Sequence, residues 1–168
     1  VYMLLFLCGR RANKGYYDML NDTEIDTWVT MIRVQAWINQ RLAQDMLRED
    51  GVRITWYDVL IQLLHCEDPE RGMRMQDLVD RVIISNSGMT RLIDRLVEKE
   101  LVKRIIYEDD RREVYVILTE TGTHLIQKLM VNHQSRIRHY FLQYFTEEEL
   151  RNLGGYFQRV YEANMRCD

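Results

Sequence analysis

The segment Ser85-Asn86-Ser87-Gly88-Met89-Thr90-Arg91-Leu92-Ile93-Asp94-Arg95-Leu96 sorts into two faces when wound at helical spacing. Met89, Leu92, Ile93 and Leu96 form one stripe, and Ser87, Thr90, Arg91, Asp94 and Arg95 form the opposite one. Short hydroxyl side chains let a helix backbone come close to a surface, and arginine offers a two-pronged donor that fits guanine edges or phosphate. Ser85 and Ser87 also stand where a helix begins, with free amides able to face a phosphate. By itself this pattern equally describes the wet side of any exposed helix.

A second group lies a short way downstream. Arg111 and Arg112, preceded by Asp110, separate the apolar runs Leu101 to Tyr107 and Val114 to Leu118. Arginines at the tip of a two-stranded projection can enter a minor groove, where the potential of a duplex is most negative. Asp110 either orients an arginine or screens it. Arg104, on the first of the two runs, is counted with this DNA-facing set.

The elements that must position these residues are legible from periodicity and caps. Asn21 with Glu24 opens a helix carrying Ile25, Trp28, Val29, Ile32, Ala36, Leu42 and Met46, and Gly51 ends it. Thr55 with Asp58 opens a second helix bearing Val59, Leu60, Leu63 and Leu64. Pro69, the single proline, marks a loop. Two short helices follow, Met75 to Val82 and Ser85 to about Glu100, joined by a tight turn in the manner of a helix-turn-helix. The two apolar runs then read as a β-hairpin. A long helix from Thr119 to Phe145 and another opened by Thr146 with Glu149 complete the order α-α-α-α-β-β-α-α.

The 168 residues, 46% of them hydrophobic, can supply a real core. A formal net charge of −3 exerts no global pull toward a polyanion, so any such surface must arise from local segregation. Residues 71–112 carry ten basic and eight acidic side chains, whereas residues 1–70 carry seven and eleven. Three widely spaced cysteines, Cys8, Cys66 and Cys167, argue against a disulfide framework and for a reducing, cytoplasmic setting. The opening VYMLLFLC is apolar for too few residues to span a bilayer, so no membrane association is expected. It reads as an extension at the start of the chain or as an arm packing on a partner.

No arrangement for catalysis competes. The four histidines are scattered, and no Gly-rich phosphate loop, HExxH motif or serine elbow occurs. His65, Cys66, Glu67 and Asp68 are consecutive and cannot readily converge on one tetrahedral ion, so no metal and no cofactor are expected. Trp28, Trp56 and Tyr57 are candidates to line a small-molecule pocket, though core packing explains them more simply.

The runs MTRLIDRLVEKELVKR and EDDRREVYVILTETG resemble the winged helix-turn-helix of the MarR family of bacterial transcription regulators. Its aspartate, spacer, arginine, apolar strand and Leu-Thr-x-x-Gly signature is matched by Asp110, Arg112, Val114, Val116, Leu118, Thr119 and Gly122. The resemblance runs from about Ile54 to Gly122. It implies that Ser85, Ser87, Thr90, Arg91 and Arg95 meet the major groove and that Arg112, with Arg111, is the wing arginine. Glu100 departs from the family, which usually has glycine at that turn.

The resulting expectation is a mainly α protein with a small β-hairpin wing. Residues 53–119 form the winged helix-turn-helix lobe, residues 21–52 and 120–168 form a helical dimerisation lobe, and residues 1–20 form an extension. The expected function is a ligand-responsive repressor that binds double-stranded DNA as a homodimer and answers to a small-molecule effector. The rivals are a winged-helix module that binds protein, and a redox or small-molecule sensor with weakened DNA binding.

Overall fold

The computed structural model describes residues 20–82, 85–108 and 110–165; the side chains of residues 110–112 and 165 lie outside the description. The chain divides into two compact units, Val1–Trp37 and Ile38–Asp168. The first unit carries most of α1, Asp22–Asp45. The expected capping box forms there: Glu24 N donates to Asn21 Oδ1 at 3.0 Å, and Asn21 N donates to the Glu24 carboxylate at 2.7 Å.

Within the second unit α1 gives way to a π-helical turn, Met46–Asp50, closed by Gly51 in the left-handed region at φ +68°. Then come α2 (Ile54–Leu64), β1 (Met73–Arg74), α3 (Met75–Arg81) and α4 (Asn86–Glu98). They are followed by β2 (Val102–Tyr107), β3 (Asp110–Leu118), α5 (Glu120–Tyr140) and α6 (Glu147–Met165). The antiparallel sheet has the order β1-β3-β2.

Three elements differ from the sequence reading. Helix α2 is entered through Arg53, whose carbonyl accepts from Trp56 N at 2.9 Å, so the first turn closes before Thr55 can act as a cap. Strand β1 adds a third member to the hairpin. The long helix expected to reach Phe145 stops at Tyr140, because Phe141 leaves helical geometry and a 3₁₀ turn, Leu142–Tyr144, leads into α6. The Thr146 and Glu149 capping box then forms, with Thr146 N donating to the Glu149 carboxylate at 2.8 Å.

The core of the second unit is a single cluster. Val59, Leu60 and Leu63 of α2, Leu78 of α3, and Met89, Ile93 and Leu96 of α4 pack with Val116 of β3 and Ile126 and Leu129 of α5. Each buried aliphatic side chain of this size stabilises the fold by roughly 1.5–3 kcal/mol relative to exposure. Helix α4 is thereby pinned by its apolar stripe, which leaves its hydroxyl and arginine face outward.

The turn after α4 is tightly built. Glu100 sits at φ +56°, the left-handed conformation that glycine takes more easily. Its carbonyl accepts from Thr119 Oγ1 at 2.6 Å, and the next carbonyl, of Leu101, accepts from Thr119 N at 3.1 Å. Thr119 Oγ1 in turn accepts from Gly122 N at 2.9 Å, capping α5. A Cβ on Gly122 would lie 1.9 Å from the Leu101 carbonyl oxygen, so only glycine fits.

A polar network joins the π-helical turn to α5. Arg136, buried, donates to Glu49 at 2.9 Å and sets its other terminal nitrogen 2.7 Å from Asp50. Asn132 Nδ2 donates to Asp50 at 2.7 Å, and Tyr140 OH donates to Asp45. Bonds from Arg48 and then Arg136 hold the Glu49 carboxyl below its ordinary value. Its stabilising contribution is therefore present above the ordinary carboxylate range and is lost as pH falls through the lower folded value.

Two stability tests follow from these features. Glu100→Gly relieves the left-handed turn and raises the urea midpoint, by up to about 1 kcal/mol of stability, whereas Gly122→Ala lowers it by about 2 kcal/mol or more. Equal behaviour of the two variants would contradict the junction described. Arg136→Met leaves the Asp50 side chain, only 4% exposed, without its ionic partner. It should cost about 3–5 kcal/mol. Arg151→Ala removes an open pair with Glu147 and should change stability by less than about 0.5 kcal/mol. Similar small losses at Arg136 and Arg151 would rule out a structural role for the network.

Candidate nucleic-acid interface

Helix α4 starts where its serine predicts. Ser85 Oγ accepts from Gly88 N at 3.2 Å and lies 3.4 Å from Ser87 Oγ, and no acid occupies the first turn to oppose an approaching anion. Ser87, Thr90, Arg91 and Arg95 are exposed, as the spacing required. Thr90 Oγ1 donates back to the Asn86 carbonyl at 3.1 Å.

The start of α2 and the start of α4 enclose a concavity of about 340 Å³. Arg53, Trp56, Ser85, Ser87, Arg91 and Arg95 line it. Three arginines share this hollow and no carboxylate lines it among the described residues, so positive potential is focused there although the whole chain is acidic. The sequence reading omits Arg53 from this surface and assigns Trp56 to a small-molecule pocket. The available signal was that Arg53 directly precedes ITWYDVLIQLL, but reading Thr55 as the cap placed it outside the helix.

Arg104 has a different situation from the other arginines. Its Nη1 is 2.5 Å from Asp94 Oδ1 and its Nη2 donates to the Thr90 carbonyl at 3.2 Å. The guanidinium thus fastens β2 to α4 and also accounts for the one acid on the polar face.

Strand β3 carries the backbone of Asp110, Arg111 and Arg112; their side chains lie outside the described residues. Val102 pairs with Leu118 and Ile105 with Tyr115, but Tyr107 pairs with Asp110. A step of two residues along β2 therefore faces a step of five along β3, an irregularity that falls on the arginine stretch.

The aromatic candidates have separate surroundings. Trp56 lines the basic concavity, while the Tyr57 ring lies 4.5 Å from that of His133. Burial, reinforced by Arg136, holds the His133 imidazole below its ordinary pKa and so neutral. Trp28 is half exposed on the part of α1 that belongs to the first unit. Burial pushes the Cys66 thiol up, which opposes thiolate chemistry. No described helix is long and apolar enough to cross a membrane.

A helix-turn-helix backed by a three-stranded wing is the architecture of a winged helix-turn-helix protein. The MarR family model matches residues 59–114. The HTH-type transcriptional regulator SarZ of Staphylococcus epidermidis is 32% identical over 109 residues, which cover 65% of this chain and 69% of SarZ. The crystal structure of AbsC, a MarR family transcriptional regulator from Streptomyces coelicolor, superposes with a TM-score of 0.76 at 30% identity, covering 89% of this chain and 98% of AbsC. Sco3205 of the same organism, solved in complex with DNA, shares the fold at a TM-score of 0.75 and 24% identity, covering 93% of this chain and 92% of its own. The chain belongs to the MarR family of transcriptional regulators.

Proposed function

We propose that this chain is a non-enzymatic, cytoplasmic regulator that binds double-stranded DNA as a homodimer and represses transcription until a small-molecule effector is bound. The observation that carries the reading is the acid-free concavity bearing Arg53, Arg91 and Arg95 beside the exposed hydroxyl face of α4. Sequence is read by Ser87, Thr90, Arg91 and Arg95 in the major groove, where each base pair presents a distinct donor and acceptor pattern. Arg53 neutralises a phosphate flanking that groove, with Ser85 at the helix start. The wing arginines Arg111 and Arg112, with Asp110 orienting them, follow the adjacent minor groove, where readout is largely of width and potential.

One α4 reads only a few base pairs, so a pseudo-palindrome requires two copies held about one helical turn apart. Tyr156, Phe157, Val160 and Tyr161 of α6 recur on one helix face and are each at least half exposed, an apolar surface of the kind a second copy covers. Repression, its relief by an effector, and dimerisation all accord with membership of the family.

Arg91→Ala should cost about 1–3 kcal/mol of discrimination between sites while leaving stability unchanged. Arg53→Ala should instead weaken all duplexes in similar proportion and flatten the log-log salt dependence by about one unit. Competition binding that finds Arg91→Ala as selective as the parent chain would reject α4 as the reading helix. Absence of salt dependence would favour a protein partner in place of DNA.

Light scattering should return about twice the 20.4 kDa chain mass at micromolar concentration, and Phe157→Glu should halve it. A parent chain that already scatters as a monomer would refute the homodimer.

A further inference from the structure

The loop between α2 and β1 is built as a bracket against the wing. Asp68 Oδ1 accepts from Glu70 N at 3.1 Å and from Arg71 N at 2.9 Å, and its carbonyl accepts from Gly72 N at 2.8 Å. Gly72, at φ +78°, approaches β3 so closely that a Cβ would lie 2.3 Å from the Val116 carbonyl oxygen. The next two residues, Met73 and Arg74, pair with Val116 and Tyr115. The bracket is therefore fixed on the sheet by backbone contacts before any of its side chains is considered.

Tyr107, the last residue of β2, reaches across to this bracket. Its hydroxyl lies 3.1 Å from the carbonyls of both Glu70 and Arg71 and donates to them as a shared bond. The Arg71 guanidinium lies 5.1 Å from the centres of both the Tyr107 and the Tyr115 rings, and its Nη2 donates to Tyr115 OH at 3.5 Å. The two rings meet edge to face at 5.1 Å. Tyr115 is 8% exposed and central to the sheet, so the cluster ties the end of the wing to its base.

The register makes this position significant. Tyr107 is the residue that pairs with Asp110, at the far end of the irregular step that contains Arg111 and Arg112. An irregular strand has two sides that the ladder alone does not fix, and here one side is held by the cluster and the other by the regular pairing from Val102 to Ile105. Arg104 performs the matching task toward the reading helix, through Asp94 and the Thr90 carbonyl.

Resting on the DNA-binding reading above, we propose that Arg71, Tyr107 and Tyr115 form a clamp that sets where the wing arginines meet the duplex. They are positioning residues that act through Arg112 and touch no nucleic acid themselves. A clamp of this kind determines how much of the wing's attraction is realised at the groove, since an arginine held in place loses less freedom on binding than one on a loose ribbon.

The test is a double-variant cycle read by fluorescence anisotropy on a labelled mixed-sequence duplex at several salt concentrations. Tyr107→Phe keeps the ring and removes the bond to the bracket; Arg71→Gln removes the cation and is the second, independent variant. Each should weaken binding about threefold to tenfold, the scale of one hydrogen bond or cation–ring contact. Each should also flatten the salt slope toward that of Arg112→Ala. In the Arg112→Ala background the same substitutions should have no further effect, a coupling that a general loss of stability would not produce. Losses that simply add to that of Arg112→Ala, or affinities unchanged by both variants, would overturn the clamp. A parent chain without salt-dependent affinity for the duplex would overturn the DNA reading and the clamp with it.

Discussion

The approach of the Leu101 carbonyl to Gly122 is the constraint around which the winged lobe is arranged. A carbonyl oxygen occupying the space of an absent Cβ lets the start of α5 lie directly on the start of β2. Thr119 then bonds both carbonyls of the preceding turn, with its hydroxyl also capping α5, so one side chain serves the turn and the helix together. Glu100, in the left-handed region, closes the exit of α4 at the same point. The direction of α4, the plane of the wing and the first turn of α5 are thereby set at one crossing. The Leu-Thr-x-x-Gly run expresses this crossing in sequence.

Much of this is legible in the sequence, and for identifiable reasons. The two faces of α4 follow from local spacing, and Met89, Leu92, Ile93 and Leu96 are buried as their periodicity demanded. The boxes at Asn21 and Thr146 and the cap at Ser85 are likewise local, each closing within three residues. What escaped depends on partners distant in the chain. Strand β1 is two residues long, too short to show any period, and exists because Gly72 can lie against β3. The break at Phe141 interrupts a segment whose apolar spacing alone would have continued the helix. The π-helical turn belongs with the Arg136 network, whose members on α5 are far away in sequence.

The basic surface was only half legible for the same reason. Arg91 and Arg95 were found because they share a face with Thr90, but Arg53 reaches that surface only through the packing of α2 beside α4. A count of charges could not reveal it, since acids elsewhere outnumber bases while none lines the hollow among the described residues. Arg104 shows what residue type alone leaves out: its donors are directed at Asp94 and a helix carbonyl, contacts that only geometry supplies.

The network at Arg136 also governs the order in which this chain can assemble. The bond from Arg136 to Glu49 spans 87 residues, that from Asn132 to Asp50 spans 82, and that from Tyr140 to Asp45 spans 95, so each closes a loop that contains the whole winged lobe and carries the larger closure entropy of such a loop. Local helices and the hairpin between Leu101 and Leu118 close much shorter loops and therefore come first. Contacts that appear after the folding transition state leave the rate of folding nearly unchanged and act on the rate of unfolding. The polar lock between the π-helical turn and α5 thus serves as a latch: it does little to guide the chain to its native form, and its effect is on how long the chain, once there, remains folded.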